Sequence, residues 1–158
     1  MTPPTFDAKV NPSDETISVG PLTIRFLLTG ADSNRSVAIF ELSVPANTGL
    51  PGPAHSHDRY EETGYGLAGV LTLTVEGKRI DIGPGETFCI PRGAVHRFDN
   101  NGDQAAKVVC IITPAELGPE YFREVADLLK TAGGGPPDRA RAAEIMRRYG
   151  LTPAAPQA

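Results

Sequence analysis

The chain has 158 residues, the scale of one domain and enough to bury a core. With 15 Lys and Arg against 19 Asp and Glu its net charge is -4, which leaves no basic field for nucleic acid or an anionic membrane face. No apolar run reaches the length needed to span a bilayer. The start Met1-Thr2-Pro3-Pro4 lacks the basic-then-apolar pattern of a secretory leader, and the two cysteines, Cys89 and Cys110, lie in apolar strand-like runs. The expectation is a soluble, cytoplasmic protein whose thiols are free and packed as small hydrophobes.

Residues 1–20 are polar and Pro-containing and read as an N-terminal arm, either swapped onto a partner or loose. The body, residues 21–113, is a series of short β-branched runs: Leu22 to Thr29, Ser36 to Val44, Val70 to Val75, Glu86 to Ile90 and Ala106 to Ile112. Turn chemistry separates them at Gly30-Ala31-Asp32, Glu76-Gly77-Lys78, Gly83-Pro84-Gly85 and Asp99-Asn100-Asn101-Gly102. Many short strands without intervening helices predict an all-β antiparallel sandwich or barrel.

After Pro114 the period changes. Tyr121, Val125, Leu128 and Leu129 recur at helical spacing, the loop Gly133-Gly134-Gly135-Pro136-Pro137 follows, and a second helix is expected from the N-cap Asp138 to Gly150. Its stripe Ala142, Ile145, Met146 and Tyr149 is expected to dock on the barrel, on a partner subunit or over one barrel end. The basic residues Arg139, Arg141, Arg147 and Arg148 are diluted by Asp138 and Glu144 and carry no interleaved aromatics, so a solvated helix face is expected rather than a nucleic-acid surface. Pro153 to Ala158 reads as a frayed end.

The chemistry concentrates in Gly49 to Glu62. His55 and His57 alternate with Ser56 on a strand, so they share a face roughly 6 to 7 Å apart and can converge on one ion. Such a pair alone is weak, and an exposed strand end explains it equally well. His96, the third and last histidine, follows another Gly/Pro-punctuated strand and completes a site if its strand is a neighbour. Glu62 adds a hard oxygen ligand that offsets part of the charge of an ion. Glu61 and Glu62 face opposite sides of a strand, so only one of them binds and the other is either a surface acid or one that supports the ligands from behind.

These residues resemble the cupin superfamily. Its first motif, glycine, five residues, His-x-His, three or four residues, glutamate, six residues, glycine, is matched by Gly49, His55, His57, Glu62 and Gly69. Its second, glycine, five residues, Pro-x-Gly, two residues, histidine, three residues, asparagine, is matched by Gly85, Pro91, Gly93, His96 and Asn100. Together they cover about a third of the chain. The flanking runs look like single-domain members resembling quercetin dioxygenase.

The resemblance implies a small antiparallel jelly-roll β-barrel, with residues 114–158 as a helical extension. It implies one divalent transition metal (Fe, Mn, Ni, Co, Cu or Zn) on His55, His57, Glu62 and His96, and often a homodimer. Four protein ligands on an octahedral ion leave two positions for a small substrate and dioxygen, and Glu62 can serve as catalytic proton acceptor. The expected activity is a dioxygenase on a small, flavonol-like or enediol substrate. The alternatives are a metal-dependent isomerase or epimerase, and a non-catalytic small-ligand binder. Gly64 and Gly66 stand at inward positions that relatives often fill with bulky side chains. They are expected either to open the cavity to a flat substrate or to form a bulge, and Phe88 and Phe98 are expected to line that cavity.

Overall fold

The computed structural model describes residue 2 and residues 8–155. Among these, twelve strands and two helices occur. The first seven strands are β1 (Glu15–Val19), β2 (Leu22–Leu28), β3 (Ala38–Val44), β4 (Thr48–Gly49), β5 (His55–His57), β6 (Glu61–Ala68) and β7 (Leu71–Val75). There follow β8 (Lys78–Ile82), β9 (Thr87–Ile90), β10 (His96–Asn100) and β11 (Ala106–Thr113), then α1 (Pro119–Thr131), α2 (Arg139–Arg148) and β12 (Leu151–Pro153).

The period-2 pattern drives the architecture. Ala38, Phe40, Leu42 and Val44 of β3 and Ala106, Val108, Cys110 and Ile112 of β11 all point inward, alternating with half-exposed neighbours. One sheet has the order β1-β2-β3-β11-β6-β9 and the other β12-β5-β10-β7-β8, with β4 also pairing β10. Every pairing is antiparallel. The expected closed barrel is corrected here to a two-sheet sandwich. Among the described residues no ladder joins the edges β1 and β9 of one sheet to β12 and β8 of the other, and the two faces meet through side chains instead.

Both ends of the chain depart from expectation. Residues 15–19, placed in an arm, form β1, which pairs β2 and buries Ile17 and Val19; residues 1 and 3–7 of that arm lie outside the described residues. Pro153, placed in a frayed end, closes β12, an edge strand paired with β5, where a missing N–H is tolerated; residues 156–158 lie outside the described residues. Asp99 and Asn100, placed in a turn, end β10. The buried Asn100 amide there donates to the Val44 and Gln104 carbonyls and its oxygen accepts from the Gly102 N–H. Cys110 is buried as expected, but Cys89 is exposed on the outer face of β9.

The helices roof the sandwich. Leu117, Ala126 and Met146 enter the main core, with Tyr121, Phe122, Val125, Leu129 and Tyr149 packed against it. Asp138 caps α2 as its sequence suggests, accepting from the Ala140 and Arg141 N–H groups at 2.9 and 3.1 Å. Arg123 bridges α1 to Glu15 of β1, while Glu124 receives Arg148 and Tyr149 from the end of α2. No helix among the described residues is long and apolar enough to cross a membrane.

Leu151, 2% exposed, anchors β12 beside His57. Its truncation to alanine is expected to cost about 2–5 kcal/mol of unfolding free energy, against about 1 kcal/mol for Asp138→Ala at the α2 cap. Urea denaturation of the two variants checks the difference.

Candidate metal centre

Three of the four motif side chains come from one sheet and the fourth crosses from the other. His55 and His57 stand on β5, and His96 on β10 is the direct cross-strand partner of His55. Glu62 projects inward from β6 in the facing sheet, while Glu61 beside it turns outward to pair with Arg92 at 2.7 Å. Ligand-capable nitrogens of His55, His57 and His96 lie within 4.8 Å of one another. The Glu62 Oε2 is 3.6 Å from His57 Nε2 and 3.7 Å from His96 Nε2. These gaps are too long for hydrogen bonds and close to the spacing of about 3 to 3.5 Å between adjacent ligands that each sit about 2.1 Å from one ion.

The imidazoles are oriented from behind. His96 Nδ1–H donates to the Ala94 carbonyl at 2.9 Å and His55 Nδ1–H to the Pro53 carbonyl at 3.3 Å, which leaves each Nε2 lone pair facing the site. His96 Nε2 and His57 Nδ1 are buried without a hydrogen-bond partner among the described residues. The buried His96 Nε2 lone pair is costly unless something absent from the protein itself satisfies it, whereas His57, whose Nε2 faces Glu62, carries its ring hydrogen on Nδ1.

Residues 43–112 match the family model described as Cupin domain. Residues 43–112 are a cupin domain. The Bacillus subtilis (strain 168) protein named quercetin 2,3-dioxygenase is 29% identical to this chain over 109 residues, 64% of this chain and 32% of that protein. The chain therefore spans about a third of the length of that relative. Among solved structures, a predicted oxalate decarboxylase from Thermotoga maritima superposes with a TM-score of 0.56 at 23% identity, covering 63% of this chain and 90% of that one. A sugar phosphate isomerase from Silicibacter pomeroyi superposes with a TM-score of 0.52 at 18% identity, covering 60% of each chain.

The electrostatics of this cupin site suit a cation. Burial, followed by the charge that neighbouring imidazoles would add, pushes His55 down to about 3; burial outweighs Glu62 to bring His57 down to about 4. Both are neutral lone-pair donors at pH 7. For Glu62, burial acts to raise the carboxyl, but the His96 and His57 side chains and the Cys110 thiol beside it outweigh burial and hold it at about 2. These tendencies oppose one another: the histidines avoid charge because they are buried, yet the carboxylate needs positive charge beside it. A divalent ion relieves both, since it neutralises Glu62 and binds neutral imidazoles.

The site opens onto a cavity of ≈ 130 Å³ lined by His55, His57 and Glu62, by Phe98, and by apolar residues from sheet and helices, Tyr121 and Phe122 of α1 among them. His96 borders a separate outer groove. Phe98 thus lines the cavity as expected, whereas Phe88 packs behind it at 5.6 Å between ring centroids. Gly64 and Gly66 do not open the cavity. A Cβ on Gly64 would stand 2.1 Å from Phe88 Cζ, and one on Gly66 would stand 2.0 Å from the Gly83 carbonyl oxygen. The space is already taken by an aromatic ring and by backbone crossing the strand.

Two neighbours of the site carry no motif signal. Tyr60 is fully buried with its ring 4.6 Å from that of His57, its hydroxyl without a partner among the described residues and its ionisation suppressed by burial. Cys110 lies against Glu62, and burial raises its thiol well above the usual value. Inward alternation on β11 was the available clue for Cys110; nothing local marks Tyr60.

Two outcomes are expected. Gly64→Ala should cost about 1–3 kcal/mol or more by overpacking, with part of the loss recovered in Gly64→Ala/Phe88→Leu, as measured by a double-mutant cycle in urea. The second concerns metal-free protein between pH 7 and 5. There the unfolded chain protonates His57 near 6.5 while the folded chain does not, so the unfolded state holds more protons and stability falls as pH falls. The 1% exposed His57 should contribute about 2 kcal/mol of that loss, and His57→Gln should flatten the pH dependence of the urea midpoint.

Proposed function

We propose that this cupin is a metal-dependent dioxygenase acting on a small substrate with adjacent oxidisable oxygens, with one divalent transition metal held by His55, His57, Glu62 and His96. The observation that carries it is a buried carboxylate facing three imidazoles, with no lysine or arginine paired to it among the described residues. The identity to the protein named quercetin 2,3-dioxygenase supports the choice of reaction.

The bound metal would act as a Lewis acid and template, lowering the pKa of a coordinated substrate hydroxyl. The chain's own residues then have clear tasks. His55 and His57 remain neutral donors, and the Nδ1 contacts of His55 and His96 with the Pro53 and Ala94 carbonyls fix the orientation of those two rings. Glu62, lining the cavity, accepts the proton of the substrate hydroxyl at its carboxylate. Phe98 and the residues of α1 exclude water around it. Among the described residues Arg97 is the one cationic residue of the lining, and its donors are held by Asp99 and by the Gly52 and Leu50 carbonyls, so these residues offer a phosphate no free counter-ion. That disfavours an isomerase acting on a phosphorylated sugar.

Metal analysis of protein purified without chelator, followed by oxygen-uptake measurements with enediol substrates, tests the assignment. We expect about one metal per chain, lost in His57→Ala and His96→Ala. Glu62→Gln should weaken metal binding and lower oxygen uptake by about 10²–10⁴. Bound metal with no oxygen consumption would count against the dioxygenase, and a wild type that takes up no metal would count against the site itself.

A further inference from the structure

An apolar cavity of about 150 Å³ holds one benzene molecule. The cavity before His55, His57 and Glu62 measures ≈ 130 Å³. We infer, on the basis of the metal-centre assignment above, that its substrate is a single-ring or comparably short molecule bearing a chelating pair of oxygens, and that Phe122 sets this size limit. A three-ring flavonol is then too large for this cavity.

The limit is built on rigid parts. The Phe122 ring packs edge-on to Phe40 at 5.3 Å and tilts on Phe26 at 5.7 Å, so it closes the cavity from the roof. The helix that carries it is fixed on both flanks, through Arg123 to Glu15 of β1 and through Glu124 to Arg148 and Tyr149. Expansion on the β6 side is blocked, because Phe88 covers Gly64 and the Gly83 backbone covers Gly66. Moving any of these walls breaks packing that interiors do not surrender cheaply. The charge pattern narrows the class further. With Arg97 engaged and Glu62 the only acid in the lining among the described residues, the body of the substrate beyond its chelating oxygens is uncharged and apolar.

The test uses cobalt(II)-loaded protein and two probes with the same α-hydroxyketone chelate, tropolone with one ring and 3-hydroxyflavone with three. Cobalt content is measured first, and binding is then read from the visible cobalt spectrum. In the wild type tropolone should bind at least about tenfold more tightly than 3-hydroxyflavone. Phe122→Ala should move the ratio of the two affinities toward 3-hydroxyflavone by about tenfold. Phe122→Leu, the smaller cut, should move it in the same direction, and melting temperatures verify that each variant is folded. Cobalt bound with equal affinity for both probes, or a ratio unmoved in the folded variants, overturns the size limit alone. A wild type that holds no cobalt overturns the metal-centre assignment and the size limit with it.

Discussion

A carboxylate and three imidazoles share one buried space between two sheets, and the rest of the molecule is arranged around that constraint. Facing sheets stand about 10 Å apart, a gap that a glutamate from one side and histidines from the other can close between them. Glu62 supplies the charge and β5 and β10 supply the imidazoles. Neither sheet alone forms the site, so its geometry depends on the packing that fixes the distance between them. The buried Ile90 and Ile112, which flank Glu62 in register on β9 and β11, therefore belong to the chemistry as much as to the core.

The C-terminal segment does two jobs in this arrangement. β12 pairs with β5 along its whole length, Leu151 with His57 and Pro153 with His55, so the strand that bears two histidines is held on both edges. Further contacts reinforce it: the Asp58 N–H donates to the Gly150 carbonyl, the Ala154 N–H to the Ala54 carbonyl, and the Thr152 hydroxyl to Asp58. The helices before it close the cavity mouth. A side chain far from the metal ligands in sequence, such as Phe122, thereby meets the substrate space. The same closure keeps water from the carboxylate and strengthens every electrostatic interaction within.

Much of this was legible in the chain because the signals were local. Alternation in β3 and β11, the His-x-His face of β5 and the Asp138 cap each depend on a few consecutive residues, and each stands where the pattern puts it. What could not be read depends on contacts distant in sequence. β8, with Lys78, Arg79 and Asp81 along an exposed edge, has too little apolar content to announce itself as a strand. Leu151 to Pro153 becomes a strand because β5 offers it an edge. Gly64 suggested vacant space, since a missing side chain looks the same in sequence whether the gap is empty or filled by Phe88. Tyr60 gave no sign of its position, and helical spacing placed Tyr121 on the apolar stripe of α1 without saying what that stripe would cover.

X-ray absorption spectroscopy of cobalt(II)-loaded protein tests the ligand set most directly, because the Cys110 thiol beside Glu62 makes sulfur a real competitor. The account predicts a first shell of nitrogen and oxygen only, near 2.1 Å, with the outer-shell scattering of about three imidazoles. A sulfur scatterer near 2.3 Å, or a first shell without imidazole, would contradict the assignment of His55, His57, Glu62 and His96.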